Sequence, residues 1–270
     1  MTLSCSKTPA ASRAAAAPLT STATGMAPAD SAVPQQTTPG DVALGNLASH
    51  IQELEWKHER APDDLSLRGQ LVDLLLTQSQ FTSRFSSFAR VAELADGAPK
   101  EHPNDAKAHF LRARYLGAVH RFAEAEAEYD AAEKLGAADT RTKRASLHIA
   151  EGRDLPAALA VAQERVAKLP TLENYSVEAG AEAALGQFDA ADEHYRDALA
   201  TYHDVSPFPV AYVEFQRGVM WAELANDPAK ALPAYREAVR RLPQYVVANV
   251  HLAEIELAQG QRESAEARLR

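Results

Sequence analysis

From about residue 44 onward, apolar positions fall at helical steps. Leu47, Ile51 and Leu54 form one stripe, and Leu67, Leu71, Leu74 and Leu75 a second. Phe85, Phe88, Val91 and Leu94 form a third. Spacings of three and four residues put such side chains on one face of a helix. The first stripe ends at Arg60-Ala61-Pro62, the second predicts a helix over 64–79, and the third predicts its partner. Upstream the pattern fails. Pro9, Pro18, Pro28, Pro34 and Pro39 sit among Ala, Ser and Thr without an apolar period. A segment of that kind buries too little surface to offset its ordering entropy. It is read as a disordered linker over 1–43, ahead of a helical domain over 44–270.

Within the helical part the pattern repeats. Ala125-x3-Tyr129-x2-Ala132, Ala191-x3-Tyr195-x2-Ala198 and Ala231-x3-Tyr235-x2-Ala238 share one signature, and Ala158-x3-Ala162 is a weaker copy. With Ala265, the leading alanines are 33, 33, 40 and 34 residues apart. A turn signal precedes each from the second onward: Gly152, Gly186, Asn226-Asp227-Pro228 and Gly260. Pro170 and Pro243 close two units.

These marks, in this order and phase, resemble the tetratricopeptide repeat, a helix–turn–helix of about 34 residues. The resemblance covers about 44–270. It implies an all-α, right-handed superhelical solenoid of antiparallel helix pairs, with five to six units and partial ones at each end. Small residues allow two helices to approach, the Tyr fills the gap to the next unit, and the Pro ends the second helix. The unit over 139–170 lacks the repeat Tyr and the Phe that Phe122 and Phe188 place three residues before their leading alanines, and the last unit stops at Arg270, two turns into its second helix. An uncapped solenoid end exposes its packing face, so either more chain follows or this end pairs with something, a second copy included.

Charge narrows the partners. The formal net charge is −9, and Lys7, Arg13, Asp30 and Asp41 cancel within the first 43 residues, so the whole excess belongs to the repeats. An acidic fold is a poor match to polyanions, which argues against nucleic acid. No stretch approaches the length of a membrane span. Cys5 is the only cysteine, which excludes an intramolecular disulfide. Thr2-Leu3-Ser4-Cys5-Ser6 resembles the end of a bacterial lipoprotein signal, implying lipidation at Cys5 and a cell-envelope location. Only four residues precede Cys5, with no charged or apolar leader. The other reading is a cytoplasmic protein with an incidental cysteine.

The search for chemistry finds little. The nine histidines show no HExxH spacing, and Pro103 separates His102 from His109. Alternating acids such as Glu124, Glu126, Glu128 and Asp130 point to several sides of a helix. There is no phosphate loop and no nucleophile elbow. The expectation is a non-enzyme without metal or cofactor, with Trp56 and Trp221 as packing residues.

Binding is therefore expected on the inner face. The repeat register puts Lys107, Phe110, Arg114, Lys143, Leu147, Glu173, Ser176, Gly180, Gln216 and Met220 along the groove. Gly218 can be aligned two ways. Lys107, Arg114 and Lys143 make a basic spot suited to a carboxylate. The longer step places an insertion near 199–211, with the aromatics Tyr202, Phe208, Tyr212, Phe215 and Trp221 around it. Per-unit insertions often reach a binding face. The expected function is a scaffold that receives a peptide or helix of another protein. The alternatives are an envelope lipoprotein assisting assembly of a surface complex, and the regulatory part of a longer enzyme.

Overall fold

A computed structural model describes residues 36–270. Cys5 and most of the proline-rich segment lie outside them. The described residues hold helices and no strand. The first helix, α1 (Gly40–Arg60), begins four residues inside the segment assigned to the linker. It packs on α2 (Leu65–Thr82), which pairs with α3 (Phe85–Ala95). A single turn, α4 (Ala98–Glu101), follows α3 and buries Ala98 completely. Four further hairpins follow: α5 (Ala106–Ala118) with α6 (Phe122–Lys134), α7 (Thr140–Glu151) with α8 (Leu155–Lys168), α9 (Leu172–Ala184) with α10 (Phe188–Ala200), and α11 (Pro207–Val219) with α12 (Pro228–Arg241). The last is α13 (Val246–Ala258) with α14 (Arg262–Arg268). Among the described residues, no helix is long and apolar enough to cross a membrane.

Local chemistry sets the helix ends. Asp64 caps α2 by accepting from the Ser66 and Leu67 amides, and Asp105 and Asp227 cap α5 and α12 in the same way. Such a cap satisfies amides that lack a partner in the first turn. At the turns, Gly152, Gly186 and Gly260 adopt left-handed backbone with φ of 70°, 77° and 77°. The residue after each donates back to the last helical turn, as Gln187 N–H does to the Glu182 carbonyl at 2.9 Å. That closure satisfies orphan carbonyls and favours glycine.

The repeat marks are the packing positions. Ala125, Ala132, Ala191, Ala198, Ala231, Ala238 and Ala265 are each 0% exposed. Tyr129, Tyr195 and Tyr235 are buried beside them. The irregular unit has a physical cause. After Gly218, α11 continues as a π-helical turn over Met220–Leu224. Thirteen residues then separate Gly218 from Ala231, against twelve from Ala179 to Ala191. The π turn absorbs the extra residue, and Gly218 is the small residue of its unit. The connection before α11 is shorter than the sequence predicts. Pro207 and Pro209 lie in the first turn of the helix, and only 201–206 remain as loop.

The solenoid also closes on itself. Phe81, at the end of α2, packs against Phe208 of α11 at 5.2 Å and against Tyr245, just before α13, at 4.6 Å. These rings join Ala211, Ala238, Leu242 and Ala248 in one buried cluster. Nearby, the Thr38 amide donates to the Val205 carbonyl at 2.7 Å, and Arg241 donates to Thr37 Oγ1 at 3.2 Å. A Cβ on Gly40 would lie 2.9 Å from the Arg241 carbonyl oxygen. The first hairpin thus contacts the fifth and sixth, where a plain solenoid contacts only neighbouring units. At the end assigned to self-association, Val246 is 40% and Leu257 49% exposed.

Candidate functional site

Where the inner helices converge, the groove expected from the sequence deepens into a half-open cavity of about 490 Å³. Four inner helices line it, because the first helix of each hairpin faces the superhelix axis. α2 supplies Thr77, Gln80 and Phe81, and α7 supplies Ser146 and Ile149. α9 supplies Leu172, Glu173, Ser176, Val177 and Gly180, and α11 supplies Phe208, Tyr212 and Gln216. Tyr195 reaches in from α10. The lining is mostly apolar, with a few polar groups held in place. Gln216 Nε2 donates to Tyr212 Oη at 3.0 Å, and Ser176 Oγ donates to the Leu172 carbonyl at 2.6 Å. Concave apolar sites with a few fixed polar groups are typical binding sites.

The residues expected to line one groove divide into three groups. Glu173, Ser176, Gly180 and Gln216 meet at the central cavity. Lys107, Phe110 and Arg114 line a separate depression of about 460 Å³ between α2 and α5. Leu147 and Met220 belong to the core instead, at 9% and 1% exposed. Leu147 abuts Gly117, and the π turn carries Met220 inward. The basic spot is partly satisfied within the chain. Arg114 pairs with Asp73, and Lys107 Nζ donates to Ser66 Oγ at 2.8 Å. Lys143 lines neither depression, and Arg114 and Glu173 are among the charges acting on it. Burial holds its ammonium below the usual lysine range, helped by Arg114.

The aromatic group divides too. Phe208 and Tyr212 line the cavity. Tyr202 braces the 201–206 loop by donating from its hydroxyl to the Ser206 carbonyl at 3.1 Å. Phe215 packs against Tyr235 and Tyr245 at 5.8 and 5.1 Å. Trp221 is 7% exposed and pairs its ring with Lys230 at 3.9 Å. Trp56 is 55% exposed, capped by the Arg60 guanidinium at 3.7 Å rather than packed in the core. Sequence reasoning missed Phe81, Gln80 and Ile149. The first two lie near the end of α2, and nothing local announces that this end meets α11.

A buried polar network fixes the α11 wall. Asp192 on α10 is 6% exposed and accepts from Arg217 Nε at 2.6 Å and Trp221 Nε1 at 3.0 Å. Arg196 adds a third contact at 2.6 Å. Burial works to raise the Asp192 pKa, but the bonds from Arg217 and Trp221 outweigh it and the carboxyl sits below its usual range. A depressed carboxyl adds stability above its unfolded-state pKa, and that stability is lost as pH falls through the folded-state value. Asp192→Asn is therefore expected to cost about 1.5–3 kcal/mol near neutral pH. The difference from wild type should shrink progressively in acid. Urea midpoints measured across a pH series check both the size and the direction.

Antiparallel hairpins stacked around an inner cavity define a helical-repeat solenoid. The C-terminal residues 223–270 match the family model described as tetratricopeptide repeat. No curated protein matches the sequence. Among solved structures, a chain of the APC/C hetero-tetramer Cut9-Hcn1 superposes with a TM-score of 0.60 at 14% identity, over 82% of this chain and 42% of that one. Yeast Tom70 gives 0.51 at 16% identity, over 86% of this chain and 56% of that one. A tetratricopeptide repeat protein from Parabacteroides merdae gives 0.52 at 14% identity, over 84% and 86%. The chain spans about half the length of the Tom70 chain and less of the chain from the Cut9-Hcn1 hetero-tetramer. The fold is that of a tetratricopeptide-type helical-repeat solenoid, and the family's sequence pattern is matched over 223–270.

Proposed function

We propose that this chain is a protein–protein interaction scaffold whose central cavity receives an extended peptide or helical segment of its partner. The observation that carries the reading is the cavity itself. Apolar and aromatic side chains from α2, α7, α9 and α11 converge there around Gln80, Glu173 and Gln216. An apolar or aromatic anchor on the partner suits such a lining, since buried anchors dominate binding energy at interfaces. Lys107 and Lys143 on the adjoining walls favour an acidic flank on that partner. The likeness of the fold to a chain of the Cut9-Hcn1 hetero-tetramer, itself an assembly of proteins, supports the same reading.

Ser176→Trp fills the cavity from a half-buried position on α9. Peptides selected from a displayed library by the wild-type protein are expected to bind this variant at least about tenfold more weakly, the loss of one anchor at about 1.4 kcal/mol. Fluorescence polarisation reads the change, with circular dichroism confirming an unchanged fold. Equal binding by Ser176→Trp and by Lys107→Glu/Arg114→Glu would rule out the groove.

A further inference from the structure

The opposite side of the cavity wall carries a second cluster. Glu178 and Glu182 lie one turn apart on α9 and so share a face. They point at α10, where His194 puts Nδ1 2.7 Å from Glu182 Oε2 and 4.0 Å from Glu178 Oε1. One ligand atom from each of the three residues lies within 4.8 Å of the others. Both glutamates are deeply buried, at 5% and 4% exposed. Glu178 Oε2 is buried without a hydrogen-bond partner.

The charges do not balance. The groups acting on Glu178 are His194, Glu182 and Asp197, with the neutral amide of Gln163. Those acting on His194 are Glu178, Glu182 and Asp197. Two buried carboxylates thus face one imidazole, which carries at most a single positive charge. Burying carboxylates with so little compensation is costly.

We propose that Glu178, Glu182 and His194 bind one divalent transition-metal ion, with zinc as the reference case. Mixed carboxylate and imidazole ligands suit zinc and its neighbours rather than calcium or magnesium, which prefer oxygen alone. Bonds of about 2.0–2.2 Å in a tetrahedral site separate ligand atoms by about 3.3 Å. The two His194 separations, 2.7 and 4.0 Å, bracket that value. The ion takes the place of the hydrogen bond between His194 Nδ1 and Glu182 Oε2. Tyr175 stacks on the His194 ring at 6.0 Å and holds its plane. The bound ion staples α9 to α10. Because Ser176 and Gly180 on another face of α9 line the cavity, the staple also stiffens the proposed binding wall.

The test uses the untagged full chain, stripped with chelator and titrated with zinc by calorimetry and with cobalt by visible absorption. One ion per chain is expected, with a raised melting temperature and a cobalt band of low coordination number. Glu182→Gln and His194→Asn should each weaken zinc by at least about tenfold. His148→Asn, which touches a different carboxylate, Glu126, should bind as wild type does. His194 is only partly buried, so its variant keeps the test valid if Glu182→Gln does not fold. No zinc binding by the wild type, or equal binding by His194→Asn, overturns the proposal.

Discussion

Phe81→Ala is expected to open the closed solenoid while leaving the separate hairpins folded. The ring is 3% exposed and bridges Phe208 and Tyr245. Truncating a buried phenylalanine costs about 3–5 kcal/mol, and the upper part of that range applies where surroundings cannot collapse into the gap. Here the gap lies between the end of α2 and the far units, joined otherwise by contacts such as Thr38 with Val205 and Arg241 with Thr37. Each hairpin still packs on its neighbours, so the loss falls on closure rather than on the units. Solution scattering should show a larger radius of gyration for the variant. Hydrogen exchange should speed up in α1, α2 and α13 and stay unchanged in α9 and α10. An unchanged radius, or a uniform rise in exchange, would show that Phe81 fills core without holding the ring shut. The same variant removes part of the cavity wall, so peptide binding should weaken with it.

Closure explains why the sequence reveals the units so well and the site so poorly. The Ala and Tyr marks recur because every hairpin solves the same local problem of helix approach. Those residues are buried in unit after unit, and their phase is visible in one dimension. Whether residue 81 meets residue 208 depends on small rotations summed over several units, and no local pattern records that sum. Of the inner-face residues, Leu147 and Met220 lie in the core instead, and Met220 does so for a related reason. A one-residue shift turns a helical position by about 100°. The π turn makes such a shift after Gly218, and Met220 moves from the groove to the core. Its trace in the sequence is thirteen residues where other units have twelve, and Gly218 could be aligned two ways until the Tyr235 contact settled it. The Glu178, Glu182 and His194 cluster stayed hidden because its spacing matches no compact metal motif and its members lie on two helices. Phe208 and Tyr212 were legible as aromatics beside a long connection. Phe215 and Trp221 looked the same in sequence, yet they turn into the core.

That contact between Gly218 and Tyr235 supports the second large effect. A Cβ on Gly218 would lie 2.4 Å from two carbons of the Tyr235 ring. Tyr235 is 0% exposed, flanked by Phe215 at 5.8 Å and stacked on His251 at 5.4 Å. The ring therefore has no free direction in which to retreat. Gly218→Val is expected to cost about 3 kcal/mol, at the upper end of ordinary overpacking. Tyr235→Ala should cost about 3–5 kcal/mol through the cavity it leaves. The two changes act on the same space in opposite senses, so they should not add. The double variant is expected to be more stable than the sum of the single losses predicts, by at least about 1 kcal/mol of coupling. Tyr235→Phe separates the ring from its hydroxyl. That oxygen is buried without a hydrogen-bond partner, so removing it relieves an unsatisfied group and should leave the urea midpoint unchanged or raise it. Additive losses in the double variant would mean that Gly218 is small for some reason other than the approach of α12. In that case the π turn, rather than the Tyr235 ring, would set the register of the fifth hairpin.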